Sequence, residues 1–128
     1  MNVSVSQSLL SQAISIVSHA VSARVTLTIL ENIRIATEEG KICLSTTNLE
    51  LSVKYWIDAT INEEGSITVP AKIFSDLVNT LPDAMVDLKL NVQTQTLQVR
   101  CLQLVTDIKG MDASEFPPLP DFEIGRAS

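Results

Sequence analysis

A strand-period alternation over residues 2–6 runs straight into a helix-period stripe of Leu9, Leu10, Ala13, Ile14, Val17 and Val21, and the same pair of patterns recurs 64 residues later. Val3-Ser4-Val5 lies over Ile67-Thr68-Val69, Leu9-Leu10-Ser11 over Ile73-Phe74-Ser75, Ile14 over Val78 and Val17 over Leu81. A switch of period within a few residues fixes where a strand must give way to a helix. Finding it twice restricts the chain to architectures built from duplicated strand–helix units. The match is faint, and chance similarity between two amphipathic segments is the competing explanation.

The remainder of each half extends the pattern. Ser6 is placed to cap the first helix, whose other face, Ser8, Ser11, Gln12, Ser15, Ser18 and His19, is polar without a full charge. After a loop over 22–28, residues 30–38 and 41–47 form a hairpin about Glu39-Gly40, where glycine supplies the backbone angles of a tight turn, with Ile42 and Leu44 on its buried face. Residues 49–61 read as one long strand, with Leu49, Leu51, Val53, Tyr55, Ile57, Ala59 and Ile61 on one face and Glu50, Ser52, Lys54, Trp56, Asp58 and Thr60 on the other. Trp56 on the polar side marks either a contact surface or packing under a loop, the latter being the commoner fate of an amphipathic indole.

In the second half, Asn62-Glu63-Glu64-Gly65 is a turn, residues 66–69 are a strand, and Pro70 takes the first position of a helix. That helix has the stripe Ile73, Phe74, Leu77, Val78 and Leu81, and Pro82 stops it. Strands are expected over 85–92, 96–101 and 102–109, and Phe116-Pro117-Pro118-Leu119-Pro120 is too proline-rich for regular structure. The expected fold is α+β, two βαβββ units whose sheets merge, with two adjacent helices packed on a curved antiparallel sheet. Residues 1–122 form one domain, and 123–128 are a linker start or an appended tail.

Composition narrows the function. A chain of 128 residues that is 45% hydrophobic but only 4% aromatic supports a single aliphatic, strand-rich core. A net charge of −6 argues against an open-surface nucleic-acid binder, which works by neutralising phosphates. Cys43 and Cys101 have neither C-x-x-C spacing nor a neighbouring histidine, so no metal ligand is assigned and reduced thiols in a cytoplasm are expected. No leader and no membrane-length apolar run is visible, so no membrane partner is expected. With one histidine, four glycines and no H-E-x-x-H, G-x-S-x-G or P-loop, no catalytic residue or cofactor is assigned. The non-enzymatic alternative is a β-rich interaction or adhesion domain unrelated to replication, which requires both helical stripes to be misread.

Three segments carry a resemblance to a known family. Arg24-Val25-Thr26-Leu27-Thr28-Ile29-Leu30-Glu31-Asn32 follows the first helix, Thr68-Val69-Pro70-Ala71-Lys72 enters the second, and Lys109-Gly110-Met111-Asp112-Ala113-Ser114-Glu115-Phe116-Pro117-Pro118-Leu119 closes the domain. In this order and spacing they resemble the amino-terminal domain of the bacterial replicative sliding clamp, the beta subunit of DNA polymerase III.

The resemblance implies the DNA-clamp (processivity) fold and a non-catalytic role as the first of three domains in a ring that encircles double-stranded DNA and tethers DNA polymerase III. It implies a second protomer joined head to tail through a third domain, and a polymerase and clamp loader that attach through regions outside this chain. The family register sets Arg24 and Lys72 against phosphates, although by residue type alone each is an ordinary solvated charge. The first helix departs from the family in having no basic residue. His19 is the nearest substitute and reads better as a polar surface residue. The ring-closing edge strand is expected within 100–108, involving Arg100, Leu102, Gln103, Leu104, Val105, Thr106 and Ile108, a stretch that periodicity alone fits equally to a plain core strand. Cys101-Leu102-Gln103-Leu104-Val105 stands where the family has basic residues and an aromatic, which implies a more apolar interface. A closed ring holds DNA by topology, so the acidic balance is compatible with the family role.

Overall fold

Both period changes fall where the pattern sets them. The structure, a computed structural model, describes residues 1–18, 32–47, 52–111 and 125–126. The first half contains β1 (Asn2–Ser6), α1 (Gln7–Ser18), β2 (Asn32–Glu38), β3 (Lys41–Thr47), β4 (Ser52–Asp58) and β5 (Thr60–Glu63). The second contains β6 (Ser66–Pro70), α2 (Ala71–Thr80), β7 (Met85–Asn91), β8 (Thr96–Cys101) and β9 (Leu104–Lys109), and β10 (Gly125–Arg126) follows. The strand–helix junctions Ser6–Gln7 and Pro70–Ala71 occupy equivalent places in the two halves. The Ser6 hydroxyl accepts the Leu9 amide at 3.5 Å, a long version of the expected cap. Pro70 is the N-cap of α2, one position earlier than expected, and provides no side-chain cap bond.

The sheets combine the halves by exchange. One sheet runs β5-β1-β7-β8-β9 and the other β10-β4-β3-β2-β6, so each half's hairpin strands receive the leading strand of the other half. β1 pairs antiparallel with β7, matching Val3 to Leu88 and Val5 to Val86, while β6 pairs antiparallel with β2, matching Ile67 to Ile35 and Val69 to Ile33. The inner faces of both sheets and the inward stripes of both helices share one core. Leu10, Ile14 and Val17 of α1 are fully buried there with Phe74 and Val78 of α2, at positions equivalent under the repeat. Ile73, expected on the buried stripe, is instead 56% exposed, and the smaller Ala71 is buried.

The long alternating segment 49–61 divides at Ala59, with β4 in one sheet and β5 in the other. Alternation hides this switch because both sheets face the same core, and Ile57 and Ile61 remain on the inner side through the bend. At the β2–β3 turn Glu39 and Gly40 have φ of 52° and 79°, the pair of positive angles that a two-residue hairpin turn of the primed type requires. β3 is held to α1 by the buried Thr46 hydroxyl, which donates to the Val17 carbonyl.

Gly110 joins the sheets. Just beyond β9, Met111 exchanges both backbone hydrogen bonds with Thr68 of β6, at 2.8 and 3.1 Å. A Cβ on Gly110 would lie 2.5 Å from the Thr68 carbonyl oxygen and 2.6 Å from Ile67 Cδ1. Gly110→Ala is therefore expected to lower unfolding free energy by about 2–3 kcal/mol, as overpacking against backbone does, read as a lower urea midpoint at unchanged m-value.

Candidate nucleic-acid interface

The two helices lie side by side, and their outward stripes are equivalent under the repeat. Ser8, Gln12 and Ser15 of α1 and their counterparts Lys72, Asp76 and Asn79 of α2 are all exposed. Polar side chains stitch the pair together. Gln7 Nε2 donates to the Val78 carbonyl at 2.9 Å, and the Ser11 hydroxyl donates to Asn79 Oδ1 at 2.7 Å. Lys72 Nζ lies 3.6 Å from Asp76 Oδ2 one turn further on, with both side chains largely in solvent. Such an exposed pair contributes little stability, but it leaves the combined stripe with no net charge. Arg24 and His19 lie outside the described residues.

The second feature is the β9 edge. β9 pairs with β8 on one side and has no strand on the other among the described residues. The edge strand is shorter than expected. Arg100 belongs to β8, one strand inward, and Leu102 and Gln103 form the turn, so of the expected residues only Leu104, Val105, Thr106 and Ile108 lie on the edge strand. The cross-strand register sets Leu104, Thr106 and Ile108 on the core face and Val105 on the outer face beside Arg100. Only Ile108 is buried, although Val99 and Cys101, the β8 partners of Thr106 and Leu104, are fully buried, and Leu104 and Val105 are about half exposed. Leu102 is 67% exposed and has φ of 55°, a left-handed conformation that costs a branched residue about 1–2 kcal/mol.

Comparison with known proteins decides what such a module is. Residues 1–120 match the family model for the N-terminal domain of the DNA polymerase III beta subunit. This chain belongs to that family. Relatives named beta sliding clamp include one from Synechocystis sp., 33% identical over 91% of this chain, and one from Synechococcus elongatus, 35% identical over 89%. Among solved structures, the DNA polymerase sliding clamp from Bacillus subtilis superposes with a TM-score of 0.89 at 27% identity, and Caulobacter crescentus pol III beta with 0.87 at 27%, each over 94% of this chain. The chain spans about a third of the length of these relatives, 32% of the Synechocystis protein and 34% of the Bacillus structure. The clamp fold and its two helices displace the all-β alternative.

Within this clamp-family domain the outer face of the second sheet carries a buried row that alternation alone assigns to solvent. Ala36, Cys43 and Trp56 form one row across β2, β3 and β4 on the side away from the core, yet are only 3%, 0% and 4% exposed. Trp56 is thus withdrawn from the accessible surface. Among the described residues no group of histidine, cysteine, aspartate and glutamate is arranged to hold a metal ion, and no helix is long and apolar enough to cross a membrane.

Burial, reinforced by the nearby Glu38 charge, pushes the Cys43 thiol up to about 12, and burial also raises Cys101. Between the ordinary thiol range and this value the native state keeps a proton that the unfolded chain has released, so stability is present below that window and is lost as pH rises through it. Urea unfolding at about pH 8 and about pH 10.5 is expected to show a stability loss about 1–2 kcal/mol larger in the native sequence than in Cys43→Ala. Equal losses would remove Cys43 as the cause.

Proposed function

We propose that this chain is the first domain of a ring-shaped replicative sliding clamp that encircles double-stranded DNA and tethers DNA polymerase III for processive synthesis, without catalysing a reaction itself. The single observation that carries this reading is the family match over residues 1–120. The domain comprises residues 1–122, the stretch 123–128 is a linker start or an appended tail that lays Gly125–Arg126 against β4, and the protein works in the cytoplasm. A second protomer closes the ring head to tail through a third domain, and polymerase and clamp loader attach through regions outside this chain.

In this reading the helix pair faces the duplex, and Arg24 and Lys72 meet phosphates. Contacts to phosphate position a protein without reading sequence, as a sliding ring requires. The acidic balance fits, because topological enclosure needs few phosphate contacts. The isolated chain is expected to bind a duplex of about 20 base pairs only weakly, with a Kd of about 10⁻⁴ M or weaker, the weak end of the range typical of non-specific binding, and to lose it as salt rises to about 200 mM. Tight, salt-resistant binding would contradict retention by topology. In the ring-forming protein, Arg24→Glu with Lys72→Glu is expected to shorten retention on circular DNA most at low salt. Retention unchanged across a salt series would remove both assignments.

The β9 edge is the proposed protomer contact. Its open N–H and C=O groups can continue a partner's sheet, and exposed Leu102, Leu104 and Val105 supply apolar area beside them. The left-handed, exposed Leu102 supports this, since a strained apolar residue in water gains nothing within the monomer. Leu102→Gly with Leu104→Ser is expected to weaken ring association at least tenfold in sedimentation experiments, with the domain's own unfolding free energy within about 1 kcal/mol of the parent. Unaltered association would place the contact elsewhere.

A further inference from the structure

We infer that the outward stripe of α1, Ser8, Gln12 and Ser15, is an uncharged phosphate-contacting track, in which hydroxyl and amide donors touch the duplex backbone and no cation clamps it. The inference rests on the reading that the helix pair faces DNA, and adds which groups make the contact and of what kind. The three residues recur at i, i+4 and i+7, so they form one line running about 10 Å along the helix. All three are exposed. The Ser8 and Ser6 hydroxyls share a hydrogen bond at 3.0 Å, whereas Gln12 and Ser15 have no side-chain partner among the described residues and keep their donors for an outside acceptor. Across the groove Asn79 is anchored by Ser11, and Lys72 lies beside Asp76, so α2 adds no net charge to the same surface.

Serine, asparagine and glutamine side chains bond phosphate oxygens and the sugar without reading sequence. Because they carry no charge, such bonds displace no condensed counterions and vary little with salt. Each is also close in free energy to the bond water would make in its place. A duplex passing over this wall therefore exchanges weak bonds that are easily remade. A basic helix would add an electrostatic well at every phosphate. The repeat makes the contrast internal to the domain, since the same three outward positions hold hydroxyls and an amide in α1 and a self-cancelling ion pair with an amide in α2.

The test is an NMR titration of the 128-residue chain with a duplex of about 20 base pairs, at salt from about 20 to about 150 mM. Gln12→Ala with Ser15→Ala should weaken binding about fivefold at every salt concentration, the effect of losing two weak neutral hydrogen bonds, with the log–log salt slope unchanged. Gln12→Lys with Ser15→Lys should steepen that slope by about 0.9 per lysine. Asn62→Lys with Gln93→Lys, exposed positions on β5 and the β7–β8 turn, adds the same charge away from the helices and should not steepen it. If the alanine pair binds like the parent while the helix lysines steepen the slope, the helices face DNA but the track is wrong. The track is equally overturned if the parent shows no binding where the lysine pair binds. If the helix lysines behave like the sheet lysines, both the track and the DNA-facing reading fall.

Discussion

Everything in this domain depends on the exchange of leading strands between its halves. β1, with β5 beyond it, extends the sheet made by β7, β8 and β9, and β6 extends the sheet made by β2, β3 and β4. Neither half can pair its own strands into a closed core unit, because the strand that precedes each helix belongs to the opposite sheet. The helices are thereby forced together, since each must leave one sheet and return the chain to the other over the same core. This makes the two halves a single cooperative body despite their internal similarity, and the main-chain bonds between Met111 and Thr68 tie the end of the second half back to its own beginning.

Much of this was legible in the sequence because the core is aliphatic and the period changes are sharp. The junctions at Ser6 and Pro70, the Glu39-Gly40 turn and the β7–β8 pair follow from alternation, helical spacing and glycine geometry. What escaped is what periodicity cannot encode. The segment 49–61 alternates without interruption through Ala59, yet it changes sheet there, because an inward residue looks the same to either sheet when both face one core. Cys43 falls on the formally outer side of the second sheet and is buried all the same, beside Trp56, for which the sequence favours packing under a loop, and a two-state pattern of in and out has no symbol for a buried row on an outer face. Ile73 shows the reverse, a large apolar residue at the stripe's margin that the core does not reach.

The candidate surfaces were legible to different depths. Family register singles out Lys72 but not its companion Asp76 one turn away, although the spacing i, i+4 on a helix announces such a pair. The outward line of Ser8, Gln12 and Ser15 was visible as a polar face, and only the superposition of α1 on α2 gives it an equivalent with which to compare its charge. At the far end of the domain, the edge strand expected within 100–108 is β9 from Leu104 onward, while the turn at Leu102 and Gln103, with its left-handed leucine, carries no glycine or asparagine to mark it.

The edges of the two sheets differ in a way that limits what the domain can assemble into. Among the described residues, β6 is bridged by Met111, β4 is flanked by β10, and β5 is a short strand beside a bulge, with Glu63 at its end drawn to the Met1 amine. Among the described residues β9 is unpaired along the whole of its outer side. A body with one long open rim offers one place where a partner strand can extend its sheet, which restricts edge-to-edge growth. The domain thus carries its own restraint on runaway sheet growth, written in which strands are left uncovered.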